Sequence, residues 1–439
     1  MDRLSLFPDA TRIEKDVIHI GGQDLSALAA TYGTPLYVYD RVTMDAAVAR
    51  YKQALKAFYP AASSITYAGK AFLCKAVAQW VRQERLSLDC TGEGEIAYAL
   101  AAGLPPDSII VHGANKSVSD LRSSIQHAHT VVVDNLDELQ RIVELFGAVR
   151  GSSSQANSFP NLWLRLQPGI QVETHHAHTQ TGHADSKFGM IPEEIAQAAQ
   201  IARSSRLPLV GLHFHLGSNF RDVAPLTSAI ELALDLVREV GFSDSWHFSP
   251  GGGWAVAYHE DELPQPEIET YVRAIGRTIV RRCRLNNLRL PQLHLEPGRS
   301  LIARAGVAVY RVGAIKKRGG RTWLLTDGGM ADNPRHALYA SKYTALPVSG
   351  ASRPMTDLVS IGGPFCESGD VILEDLRLPI LGEGELVAVP VSGAYHLSMS
   401  SNYNGSRRPA VLWLEKGSAR LIVRRETLDD LLQRDLSLT

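Results

Sequence analysis

"SITYAGKAFLCKAVAQWVRQERLSLDCTG", Ser64 to Gly92, reads as one complete strand–helix–strand unit. "SITYA" is short and rich in β-formers, and Gly69 and Lys70 close it. "KAVAQWVRQE" then spaces its apolar residues as a helix does, before "LSLDC" restores a strand and Gly92 breaks it. A lysine at the end of a buried strand is most simply a side chain snorkelling to water. The rest of the chain gives Lys70 company that this simple account does not cover.

The same rhythm continues to Arg299. The remaining strand-like runs are "SIIVHGAN", "TVVVDN", "LWLRLQPG", "LVGLHFHLGS", "SWHFSPGGG" and "LHLEPGR". Helix-compatible segments such as "EIAYALAAG", "LDELQRIVELFG" and "LTSAIELALDLVREVG" lie between them. Eight such units in about 240 residues predict an α/β fold, a (β/α)₈ TIM-type barrel. A doubly wound sheet would explain the alternation but not a count that closes at eight. Lys70, Asp89, His112, Asn115, His215, Ser218, Gly251 to Gly253, Glu296 and Arg299 all follow or finish a strand. That is the C-terminal rim, where barrels of this type carry their chemistry. Singly, each is a turn residue or a cap; together they are a site.

Past residue 300 the period changes to two. "LIARAGVAVYRVGAIKKRGGRTWLLTDGG", "GELVAVPVSGAY" and "PAVLWLEKGSARLIVRRE" predict a second, mostly antiparallel β domain. "TPLYVYD" near the N-terminus is one more strand outside the barrel count. "KKRGGR", Lys316 to Arg321, reads as a charged hairpin turn. "RGSSSQANSFP", Arg150 to Pro160, reads as a polar surface loop.

Forty-five basic residues stand against forty-six acidic ones, which argues against a nucleic-acid or membrane-surface partner. Hydrophobic residues at 45% of the 439 leave ample core for two domains. The four cysteines form no C-x-x-C pair, so neither a disulfide framework nor a zinc ribbon is expected, and a reducing cytoplasm fits. No apolar run is long enough to span a bilayer, and "MDRLSLFPDATR" lacks a signal core.

Small-residue breaks follow strands six, seven and eight: "HLGSN", "PGGGW" and "EPGR". Consecutive backbone amides in such turns cradle an anion. No G-x-x-x-x-G-K-[ST] and no helix-opening G-x-G-x-x-G occurs, so one phosphate fits better than a nucleotide. A phosphate site, a strand-end lysine and an acid on strand eight together suggest pyridoxal 5'-phosphate, with Glu296 against the pyridine nitrogen. His213 and His215 share a strand face by parity, and His215, nearer the rim, could stack on the cofactor ring. The histidine-rich "ETHHAHTQTGH", Glu173 to His183, reads as a lid or substrate-proximal loop, and no metal site is expected there.

At this point the motifs "YAGKA", "HGANKS", "TGHADSKFG", "HFHLGS", "GGG", "EPGR", "DGGMADNPRHALY", "GPFCESGD" and "SGAYHLSMSSNYN" resemble, in order, the diaminopimelate decarboxylases. These are fold-type-III (alanine racemase-like) pyridoxal-phosphate enzymes related to ornithine decarboxylase. The resemblance implies that Lys70 carries the cofactor, Glu296 meets its ring nitrogen and His215 stacks on it. It places Asp89, Ser218, Gly252, Gly253, Pro297, Gly298, Arg299 and Tyr395 around the cofactor, several of them at its phosphate. It makes Cys366 the proton donor, contributed across a homodimer with shared active sites. Arg299, Arg335, Tyr339, Glu367 and Tyr395 would bind substrate. It also implies a barrel over 41–300 and a discontinuous β domain made of 1–40 and 301–439.

The chemistry of Arg335 and Glu367 agrees with an amino-diacid substrate. Arginine offers a fork for a distal carboxylate, and glutamate accepts from a distal ammonium. "LDCTGEGE", Asn219, Ala331 and His336 depart from the usual family pattern. The rival readings are a sibling decarboxylase for D-ornithine, D-lysine or carboxynorspermidine, and a silent regulatory homologue. The second normally lacks the lysine or the phosphate residues, and both are present here.

Overall fold

The computed structural model describes residues 3–151, 159–174, 180–242 and 245–438. Most of "RGSSSQANSFP" and the histidines His175, His176 and His178 lie outside the described residues. The chain divides into two compact units. One comprises Val48–Ala255 and Pro266–Gly298; the other comprises Met1–Ala47, Val256–Gln265 and Arg299–Thr439. Residues 256–265, read from sequence as part of the barrel, group with the second unit.

The first unit is a closed barrel of eight parallel strands: Ser63–Ala68, Ser87–Cys90, Ile109–Val111, Thr130–Val133, Asn161–Arg165, Leu209–His213, His247–Ser249 and Gln292–Leu295. The eighth strand pairs with both the seventh and the first, Leu293 opposite Ser63, and so closes the ring. These strands are buried on both faces, which is why they read as nearly unbroken apolar runs. Helix Lys75–Gln83 covers the barrel with Val77, Ala78, Trp80 and Val81, and Ser117 with Asp120 forms a capping box on helix Val118–His127.

Trp163 fills the barrel interior beside Ile110 and Val132. It fits because Gly211 faces it: a Cβ there would sit 2.3 Å from the indole. His294 and His247 lie against the same indole, with ring centroids 4.6 and 5.6 Å away. Their nitrogens satisfy each other and Ser64 at 2.8 Å each, so this inner polar layer is hydrogen-bonded within itself.

In the second unit, strands Val371–Leu378, Asp357–Gly362, Arg321–Thr326, Gly306–Arg318, Leu36–Asp40, Ala410–Glu415 and Ser418–Val423 lie in that order in one sheet, and Leu386–Val389 pairs onto Gly306–Arg318. Most neighbours are antiparallel; Leu36–Asp40 with Ala410–Glu415 and Arg321–Thr326 with Asp357–Gly362 are parallel. The "KKRGGR" run is a hairpin in which Arg318 opposes Arg321. Alternation sorts the faces. Leu36 and Val38 oppose Val309 and Val307 and enter the apolar core, which sends Tyr37, Tyr39 and Tyr310 to the other face. No helix among the described residues is long and apolar enough to cross a membrane.

Candidate active site

In the barrel unit, strand Ser63–Ala68 passes straight into a single 3₁₀ turn, Gly69–Ala71. Gly69 and Ala71 are buried while Lys70 is exposed, so the turn presents the amine and hides its neighbours. Asp89, on the second strand, is buried, and among the described residues its Oδ1 has no hydrogen-bond partner. Burial pushes its carboxyl up to about 8, against the pull of the Lys70 ammonium and with the Glu296 charge adding to the rise.

Glu296 follows the eighth strand and is the most heavily supported acid of the rim. Ser249 Oγ donates to Oε1 at 2.7 Å, and His213 Nε2 donates to Oε2 at 2.9 Å. Burial alone would raise its carboxyl. The pull of the adjacent His213 and the two hydrogen bonds outweigh burial and hold it well below the usual range. His112 meets His213 edge to face at 4.8 Å, with Nε2 3.7 Å from Glu296 and 3.8 Å from Asp89. Burial keeps the His112 ring neutral, well below the ordinary histidine value. His112, His213 and Glu296 lie close enough together to ligate an ion. Both Glu296 oxygens are already taken, by His213 and Ser249, while His112 Nε2 has no hydrogen-bond partner among the described residues.

The sixth strand ends at His213, and His215 lies in the loop beyond it. Parity along a strand therefore does not place His215; a backbone contact does. Gly252 N–H donates to His215 Nδ1 at 3.2 Å, which leaves the ring proton on Nε2. Burial, then the Lys70 charge, holds this imidazole well below its ordinary value. Gly253 has φ +94°, and a Cβ there would sit 1.8 Å from the Gly217 carbonyl oxygen, so the turn closes only with glycine. Its own carbonyl accepts from Asn219 N at 2.7 Å, next to half-buried Ser218. Pro297 O accepts from Ala68 N at 3.2 Å, which ties the "EPGR" turn to the strand that ends at Lys70.

The second unit holds a separate cluster. Arg335 opens the short helix Arg335–Tyr339 and is 2% exposed. Its Nε donates to Tyr343 Oη at 3.0 Å and its Nη2 to Ser341 Oγ at 3.2 Å. The rings of Tyr258, Tyr339 and Tyr395 stand 5.2, 5.3 and 5.7 Å from its carbon. Arg299 packs over Tyr395 at 4.7 Å and hydrogen-bonds Tyr258. Cys366 and Glu367 are exposed on a loop that Asp370 pins by accepting from Met330 N and Phe365 N, each at 2.7 Å. Cys74, Cys90 and Cys283 are buried; Cys366 alone among the four is exposed.

Within the barrel unit the structure thus joins Glu296 to a hydrogen-bond network and His215 to the Gly252 amide; Ser218, Pro297 and Gly298 lie in the adjoining turns. Within the second unit it brings Arg299, Arg335, Tyr339 and Tyr395 together, and leaves Cys366 and Glu367 on the pinned loop. Sequence reasoning assigned no role to Ser249, Arg165, Tyr258, Tyr343 or His396. Arg165 is a buried guanidinium paired to Asp134 at 3.3 Å under the Phe188 ring, and its signal was a charge at the end of an apolar strand.

A strand-end lysine, a glycine turn with no room for a Cβ and a buried carboxylate held anionic fit the needs of pyridoxal phosphate. Residues 44–303 match the family model described as pyridoxal-dependent decarboxylase, pyridoxal binding domain. Fold and match together define a pyridoxal-phosphate-dependent carboxy-lyase. A diaminopimelate decarboxylase of Actinosynnema pretiosum subsp. auranticum is 37% identical over 436 residues, 98% of this chain and 95% of that one. The crystal structure of diaminopimelate decarboxylase from M. jannaschii with L-lysine superposes with TM-score 0.88 at 28% identity, covering 98% of each chain. The Helicobacter pylori enzyme complexed with L-lysine gives 0.84 at 29% identity, covering 93% of this chain and 98% of that one. The chain belongs to the diaminopimelate decarboxylase family.

Proposed function

We propose that this chain removes carbon dioxide from meso-2,6-diaminopimelate and releases L-lysine, the closing step of lysine biosynthesis. One observation carries the choice of substrate. Arg335 is buried, yet among the described residues its hydrogen bonds go only to neutral hydroxyls and its rings are neutral tyrosines. A buried cation needs an anion, and the distal carboxylate of an amino-diacid supplies one. A substrate ending in an ammonium alone would be repelled there.

Pyridoxal phosphate, when bound, supplies the electron sink for the pair left behind as carbon dioxide departs. The assignments in this chain follow from its own groups. Lys70 offers the exposed amine that links the cofactor. Glu296, kept anionic by His213 and Ser249, would hold a proton at the pyridine nitrogen. His215, neutral and fixed through Nδ1, would lie against the cofactor ring, and Asp89 lies among these groups. Ser218, Gly252, Gly253, Pro297, Gly298, Arg299 and Tyr395 would hold the phosphate. Arg335 takes the distal carboxylate and Glu367 the distal ammonium, with Arg299, Tyr339 and Tyr395 as further substrate contacts. Cys366 returns a proton to the carbon that lost carboxylate. We assign Cys366 to the partner's site in a homodimer, in keeping with its exposure in the single chain, and the setting to the cytoplasm.

Carbon dioxide release from the purified protein with meso-diaminopimelate, D-lysine, L-lysine and L-ornithine tests the reading. kcat/KM for diaminopimelate should exceed the others by about a hundredfold or more. Faster turnover of D-lysine or ornithine would replace the substrate.

A further inference from the structure

We infer that Tyr343 and His396 are positioning residues that fix the Arg335 guanidinium for the distal carboxylate of the substrate. This rests on the reading of Arg335 given above. The support is a chain of buried hydrogen bonds whose direction is forced. Arg335 Nε can only donate, so the Tyr343 oxygen accepts it, at 3.0 Å. The Tyr343 hydroxyl must then find an acceptor, and His396 Nε2 lies 2.7 Å away. That puts the His396 proton on Nδ1, which faces the Tyr37 hydroxyl at 3.4 Å. Tyr37 in turn donates to Asp332 Oδ2 at 2.9 Å, where Tyr310 also donates at 2.7 Å. Asp332 Oδ1 accepts from Gly329 N at 3.0 Å, and the chain ends on a carboxylate with both oxygens engaged.

The sheet explains why these groups meet. Tyr37 and Tyr310 come from strands Leu36–Asp40 and Gly306–Arg318, on the face turned away from the apolar core. Tyr343 and His396 are brought onto that face by separate segments, and both are buried. Burial, with the Arg335 and Arg299 charges, keeps His396 neutral. A protonated ring would donate at Nε2 as well and would reverse the link to Tyr343. Arginine has many rotamers, and a guanidinium ordered before the substrate arrives loses less freedom on binding.

Kinetics of the cofactor-loaded enzyme decide the matter. Tyr343→Phe keeps the ring and removes the hydroxyl; His396→Leu removes acceptor and donor. Each should raise KM for diaminopimelate about tenfold while kcat changes less than about threefold. The inhibition constant of D-lysine, which has no distal carboxylate, should not move. His396→Gln should restore most of the affinity, because its amide offers an acceptor and a donor at nearly the separation of the ring nitrogens. Arg335→Ala is the reference, with an expected rise in KM of about a hundredfold or more. If Arg335→Ala leaves KM unchanged, the reading of Arg335 itself fails. If it raises KM while Tyr343→Phe does not, the positioning role alone fails. Equal losses for diaminopimelate and D-lysine would mean a purely structural role. Should His396→Leu not fold, Tyr343→Phe and His396→Gln still settle the outcome.

Discussion

His213 Nε2 lies 2.9 Å from Glu296 Oε2, and because a carboxylate only accepts, the histidine must donate there. With Ser249 on the other oxygen, Glu296 is held as an anion inside a barrel where burial opposes it. An anion is what a protonated pyridine nitrogen requires as its partner.

Glu296→Gln keeps the shape and the Ser249 contact but removes the charge. The expected result is a fall in kcat on the order of a hundredfold or more, with the cofactor still linked to the protein. His213→Leu should lose less, since it weakens the support and leaves the acid. Near-normal kcat in the glutamine variant, measured at cofactor saturation, would take Glu296 out of the chemistry.

The buried histidines make stability depend on pH in a definite direction. His294 is lowered to about 3 by burial, with His247 and His129 adding to the fall and Glu296 opposing it. The native protein keeps it neutral, while the unfolded chain protonates it below about 6.5. Unfolding therefore takes up a proton below that value, and the contribution present above it is lost as pH falls, by about 1.4 kcal/mol per pH unit. His294→Gln cannot take up that proton. Its penalty against wild type, read from denaturant midpoints, should shrink between pH 7 and pH 5. A constant penalty would show that His294 is not neutral through burial.

All eight barrel strands were legible because each is a buried β-forming run cut by a polar or glycine break. Lys70 and Glu296 stood out for the same reason, as charges where apolar residues were expected. His215 was assigned by strand parity, yet the strand stops at His213 and the Gly252 amide sets the ring. Parity says nothing once the chain leaves the sheet. Tyr258, Tyr343 and His396 were illegible because three distant segments bring them together, and no local pattern encodes that meeting. Residues 256–265 packed with the second unit for a similar reason: their partners are tertiary, such as Arg299 against Tyr258.

Borohydride reduction followed by peptide mass mapping should place the reduced cofactor on Lys70. The exposed amine between two buried neighbours is the motivation. Lys70→Ala should lose the covalent link and the absorbance that goes with it. Lys116 is the contrasting lysine, buried and paired to Glu138 at 2.8 Å with two carbonyls around it. Label on Lys116, or on any lysine other than Lys70, would overturn the assignment.

The sharing of sites between two chains has its own test. Cys366 is exposed on the loop pinned by Asp370, and Lys70 sits at the barrel rim. If Cys366 serves the partner, a twofold dimer builds each site from reciprocal halves. Lys70→Ala and Cys366→Ala homodimers should then each be severely impaired. In a mixed dimer one site carries both lesions and the other carries neither. Random pairing makes half the dimers mixed, and half of their sites are intact, so roughly a quarter of wild-type activity should return. Mass measurement of the exchanged dimers confirms the mixing independently of activity. Mixed dimers without recovered activity would mean that the lysine and the cysteine act within one chain. The decarboxylase reading would survive that result, and the shared site would not.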